Sequence, residues 1–289
     1  MTVCKILLFL LVSFLFQLFF AEGAWAWGPA VHTVLGCRIL EEASQILPAA
    51  IANLVRAYPL EYLYGSLSAD FFIGKGQKKK NGHSHNWETG FRFLGEAKNE
   101  KDTAYAFGFL SHLAADVVAH NYFIPNLIHQ ASNLPRMGHV YWETRADYSV
   151  GPFYIKVARD ILSMEQLECD DLLKYAVGKG RKGLKAKRHL YVQYVKFSDF
   201  LYQSSPMTLI TRGSRYQISN DYLLFMIRLS YRLVKDLLNQ PVDSLCLLYD
   251  PIGSRNLKLA GKKAILSRLF KIPRPRLQFD VDRELLQIE

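Results

Sequence analysis

Cysteine is scarce in this chain, with four residues in 289. Cys4 precedes an N-terminal apolar run, so the body of the chain holds only Cys37, Cys169 and Cys246. None of these forms a Cys-x-x-Cys pair, which argues against a thiolate metal site and a disulfide scaffold; three cysteines allow at most one internal disulfide. Convincing runs of alternating apolar and polar residues are also missing, and with them the signature of a β-sheet protein. There is no internal repeat and no low-complexity segment. Acidic residues are the minority charge, 26 against 36 Lys and Arg, leaving a net charge of +10. A basic surface suits anionic partners, phospholipid head groups or nucleic acid, and also serves plain solubility.

The N-terminus bears on compartment. Lys5 is followed by the apolar run ILLFLLVSFLFQLFF over residues 6–20, and then by Ala24 and Ala26 in an A-x-A arrangement. This is the pattern of a secretory signal peptide covering 1–26, with cleavage after Ala26. The run is shorter than the roughly 20 residues of a bilayer span, so a secreted or periplasmic protein is expected, with an uncleaved anchor as the alternative. Lys5 and Glu22 cancel, so the mature chain keeps the same net charge.

What is present is helical periodicity. Hydrophobic residues make up 50% of the chain and aromatics 13%, enough for a well-packed core. The spacing predicts helices from Pro29 to a break near Pro48, over 49–58, from Trp87 to Ala97, from an Asp102 cap to Pro125, over 136–148, 154–176 and 188–202, and from a Ser219 cap to a Pro241 stop. Residues 65–85 and the basic stretch 178–189 read as loops. The fold class is all-α, a single multi-helix domain over 27–253. A basic tail follows over 254–289, whose AILSRLF stripe either packs as a terminal amphipathic helix or lies on an anionic membrane.

Within SHLAADVVAH, His112, Asp116 and His120 recur every fourth residue, so an α-helix carries all three on one face. Small and apolar residues surround them, and burying three titratable groups on one stripe is costly without compensation. Metal ions compensate. Further candidates are His32 near the start of the first helix, Asp70 between aromatic neighbours, and either His83 or His85 before a helix. His139 and Glu143 form another pair spaced by four. Trp27 joins them if cleavage makes it the N-terminus, because a free α-amine, unlike an amide, binds metal. Nitrogen and oxygen donors without thiolates favour several zinc ions.

The ordered set Trp27, His32, Asp70, His85, His112, Asp116, His120, His139 and Glu143 resembles the zinc-dependent phospholipase C family, whose trinuclear site is shared with P1/S1-type nucleases. The step from Trp27 to His32 is similar to that of the nucleases. The HLAADVVAH run is more similar to the N-terminal domain of the glycosylphosphatidylinositol-specific phospholipase D, and in secreted bacterial phospholipases the gap from the Asp to the next His is two residues longer. The resemblance covers about residues 27–150. It implies two to three zinc ions: one on Asp70, His85, His112 and Asp116; one on the Trp27 amine and carbonyl, His32 and a bridging Asp116; one on His120, His139 and Glu143. It also implies the choice of His85 over His83, and catalytic duties for Asp70 and Asp116.

The chemistry expected is hydrolysis of a phosphodiester by a zinc-bound hydroxide, with phospholipid as substrate and peripheral membrane contact. A nuclease acting on nucleic acid, or a zinc-stabilised envelope or binding protein without catalysis, are the competing readings.

Overall fold

The computed structural model describes residues 27–72, 85–131, 135–164, 169, 172–173, 181–202, 218–270 and 279–288. The proposed signal peptide 1–26 and His83 lie outside them. Every regular element among the described residues is helical, in agreement with the all-α expectation. Our labels are α1 Pro29–Ile46, α2 Ala49–Ala57, α3 Pro59–Ser68, a 3-10 turn Ala69–Phe72, α4 Trp87–Glu96 and α5 Glu100–Val118. A π-turn Ala119–Phe123 leads to α6 Ile124–Ala131, α7 Pro135–Val150, α8 Pro152–Ser163, α9 Arg181–Tyr202 and α10 Asn220–Asn239. A 3-10 turn Leu245–Leu248, α11 Ser254–Phe270 and a short α12 Arg283–Leu286 complete the chain.

Helix α5 is the axis of the fold, buried from Ala104 to Val118 and packed against α3, α4 and α10. Its start differs from expectation. Asn99, not Asp102, is the N-cap: its side chain accepts from the Asp102 amide at 2.9 Å, while the Asp102 carboxylate accepts from the Lys98 amide at 3.0 Å. The first bond gives a first-turn amide its partner, and the second ties the residue before the cap to the same turn. Its end also differs, because the helical path does not stop at Pro125. A single π-turn intervenes, with the Ile124 amide donating five residues back to Ala119 O. The wider turn accommodates the missing N–H of Pro125, which would otherwise break an α-helix.

The stretch expected as loop from residue 65 is helical up to Phe72. Gly65 reads as a breaker but is a crossing point. A Cβ on Gly65 would lie 2.1 Å from Tyr105 O, and one on Gly108 would lie 1.9 Å from Tyr62 O. The two glycines therefore let the α3 and α5 backbones touch where no side chain fits. The basic segment is likewise helical from Arg181 onward, because Lys, Arg, Leu and Ala are good helix formers. Helix α8, in contrast, stops at Ser163, where Met164 turns extended at ψ 149°. At the start of α10, Ser219 occupies the cap position without making the side-chain bond.

The C-terminal segment is tied into the core. Asn126 pairs with both the Phe279 amide and carbonyl, at 3.0 and 2.9 Å, and Leu285 is fully buried.

Candidate metal centre

Five predicted ligands converge beside α5. Helix α1 brings His32, the 3-10 turn brings Asp70, the turn two residues before α4 brings His85, and α5 brings His112 and Asp116. All five are buried. His32, His112 and Asp116 form one group of donor atoms lying within 4.8 Å of one another, and Asp70, His85 and His112 form a second. Asp116 spans both. Its Oδ1 is 3.2 Å from His32 Nε2; its Oδ2 is 3.2 Å from His112 Nε2 and 3.6 Å from His85 Nε2. Asp70 Oδ1 sits 3.3 Å from His85 Nε2.

The surroundings aim these groups. His112 Nδ1 lies 2.8 Å from Ser66 O, which fixes the ring and leaves Nε2 as its donor toward the cluster. A single ring nitrogen has one lone pair and cannot serve two ions, so although His112 belongs to both donor groups, the member able to bridge is the two-oxygen carboxylate of Asp116. The His32 and His112 rings stack with centroids 3.9 Å apart, which holds them in register. Neither His32 Nε2 nor either Asp116 oxygen makes a hydrogen bond. Buried donor atoms this close to one another fit a cation held between them.

His120 rides on the π-turn, fully buried, with Nδ1 on the Pro251 carbonyl and 3.9 Å from Asp116 Oδ2. Gly253 makes this contact possible: at φ +59°, a Cβ there would lie 2.3 Å from His120 O. Glu143 is also fully buried on α7. His139 stands one turn before it, and the His139 side chain lies outside the described residues. Trp27 is buried, its indole N–H reaching Ala115 O at 3.2 Å and Ser230 Oγ at 2.9 Å, so the chain entering α1 is anchored next to Asp116.

Charge at the site is strongly one-sided. No lysine or arginine occurs among the fully buried described residues. Burial opposes ionisation at Asp116, but the imidazoles of His112 and His32 outweigh it and hold the carboxyl well below its ordinary range. At Asp70, burial is likewise outweighed by His112, His85 and His32. At Glu143, burial, then the charges of Asp70, Asp116 and Asp147, push the carboxyl well above its ordinary range. Bound cations would remove this conflict, so the donor set and its electrostatics fit zinc.

Two supporting residues escaped the sequence reading. Asp147 lies a further four residues beyond His139 and Glu143, so extending that spacing would have found it. Its carboxylate accepts from the Ala30 and Val31 amides at 3.1 and 3.0 Å, clamping the start of α1. Burial nevertheless raises its pKa to about 7. Tyr191, on α9, donates to Asp70 Oδ2 at 3.1 Å; no local pattern announces it, since it lies 121 residues away in the chain. Burial and the Asp70 charge keep its hydroxyl protonated, as a donor must be.

Comparison with known proteins agrees with this chemistry. Residues 31–176 match the family model described as zinc dependent phospholipase C. No curated protein and no solved structure matches the chain. The match spans half of the sequence and contains the whole cluster of histidines and carboxylates described above, and the chain belongs to the zinc-dependent phospholipase C family.

Proposed function

We propose that the protein is an exported phosphodiesterase that hydrolyses phospholipids with two to three zinc ions. Residues 1–26 serve as a cleaved signal peptide, and the helical domain from Trp27 carries the chemistry in the periplasm or outside the cell. Asp70, His85, His112 and Asp116 hold one ion. His32, Asp116 and the amine and carbonyl of an N-terminal Trp27 hold a second. His120, His139 and Glu143 hold a third. The observation that carries this reading is Asp116, buried with its two oxygens turned to different histidines and without a hydrogen-bond donor.

Zinc supplies Lewis acidity toward phosphoryl oxygen and makes water a nucleophile near neutral pH. The protein contributes orientation and proton handling. Ser66 O and Pro251 O hold the His112 and His120 rings. Tyr191 pins Asp70 Oδ2, which leaves Oδ1 facing the histidines. Asp70, kept ionised by three imidazoles, has a free electron pair there to orient a water molecule or take its proton. No protein nucleophile is required.

The test is a product assay with zinc-loaded and chelator-stripped protein. Zinc-dependent release of phosphocholine and diacylglycerol from phosphatidylcholine is expected. Cleavage of single-stranded DNA but not lipid would place the protein with the nucleases. Bound zinc without hydrolysis of either would leave a zinc-stabilised binding protein. N-terminal sequencing of exported protein should begin Trp-Gly-Pro, and any other start removes Trp27 from the ligand set.

A further inference from the structure

Helix α11 is built inside out for a helix that only packs. Its inward stripe is small, with Ala260 and Ala264 buried, while its large apolar side chains face water. Ile265, Leu266, Leu269 and Phe270 are 52%, 48%, 69% and 67% exposed, together forming the last turns of the helix. Arg255, Lys258, Lys262 and Lys263 are exposed on its earlier turns, and the segment 254–270 contains no acidic residue. Packing against α6 and the π-turn therefore accounts for only one side of the helix.

We infer that the outward face of α11 is a docking surface for an anionic phospholipid bilayer, its terminal apolar cluster entering the head-group region and its lysines meeting lipid phosphates and carboxylates. An exposed apolar cluster gains by leaving water for the head-group boundary, and lysines beside it on the same face are attracted to anionic lipid. The charge selects the occupant. A second copy of the same face would bring like charges together, and a nucleic-acid backbone offers nothing to four exposed large apolar side chains. Among the described residues no helix is long and apolar enough to cross a membrane.

The helix is rooted at the metal centre. It begins at Ser254, directly after Gly253, which packs on the His120 backbone, and Asn256 donates to Asn121 O at 2.9 Å. Docking thus brings to the bilayer the wall that orients His120. The inference extends the proposed phospholipid substrate class but stands on separate residues, so adsorption and turnover are measured apart.

The experiment is co-sedimentation of the full chain with vesicles of phosphatidylcholine alone or mixed with phosphatidylserine. The N-terminal apolar run meets both vesicle types alike, so the difference between them is the readout. Binding should be stronger on the anionic vesicles. Lys258→Gln with Lys262→Gln should lower that binding roughly 30-fold, at about fivefold per cation. Leu269→Ser with Phe270→Ser should weaken binding to the anionic vesicles, with the helical circular dichroism and melting temperature retained. Equal partition into both vesicle types, variants that bind like the parent, or an apolar variant that changes only the oligomeric state in light scattering would each overturn the inference. Adsorption without hydrolysis by the unmutated protein would leave it standing and remove only the proposed catalysis.

Discussion

Replacing Asp116 by Asn tests the centre most directly. The side chain keeps its volume, so the fold around α5 is not opened. What changes is one buried negative charge facing His32 and His112 at 3.2 Å each and His85 at 3.6 Å. The new amide also places a donor where two acceptor oxygens stood. Removing one partner of a buried charged pair costs about 3–5 kcal/mol. Converted to affinity, that is on the order of 10²–10⁴-fold weaker zinc binding. Because the two Asp116 oxygens serve different histidines, the loss should extend to more than one ion, whereas His85→Ala should release only one. Elemental analysis after dialysis counts the ions, and competition with a chromogenic chelator gives the affinity. An Asp116→Asn protein that retained its zinc within about tenfold of the parent affinity would refute the bridging argument.

Three further outcomes follow from the supporting residues. Tyr191→Phe removes the hydroxyl that holds Asp70 Oδ2 but keeps the ring against Phe71, so zinc affinity should fall about 10–100-fold with the melting temperature nearly unchanged; chelator competition and thermal unfolding separate the two effects. Gly253→Ala forces a side chain into a left-handed φ and against His120 O, so it should destabilise the protein by more than about 1 kcal/mol and release zinc, read by denaturant unfolding and metal analysis. In zinc-stripped protein, Asp147 keeps its proton up to about pH 7 when folded, whereas unfolded aspartate loses it near pH 3.9. The folded state then binds more protons across that window, and stability falls as pH rises through it, by up to about 4 kcal/mol from this group. Urea unfolding at pH 5 and pH 7 should show the parent losing stability relative to Asp147→Asn over that interval; a parent that gains would contradict the burial argument.

Much of the centre was legible because its ligands follow helical spacing. His112 and Asp116 share a face of α5 by arithmetic alone, and His139 and Glu143 occupy corresponding positions on α7. The all-α class was equally legible, since the apolar residues repeat at helical intervals nearly throughout. The errors have local causes. Gly65 and the lysine-rich stretch carry the composition of loops, but the first is a helix crossing and the second a solvated helix face. Pro125 carries the composition of a stop, but a π-turn absorbs it.

The sequence by itself determined the donor types, nitrogen and oxygen without thiolate, and the spacings that place several of them on common faces. Those are properties of residues a few positions apart, where backbone geometry leaves little freedom. Only the tertiary structure decided which oxygen of Asp116 meets which histidine, and that Tyr191 steadies Asp70 and Asp147 clamps α1. It also decided that the carbonyl of Pro251, 131 residues from His120, orients that ring. These partners are brought together by the packing of α5 against α3 and α10 and of the C-terminal segment against the π-turn. Contacts across such separations depend on how whole helices bury their apolar faces, and no local pattern of residues encodes that.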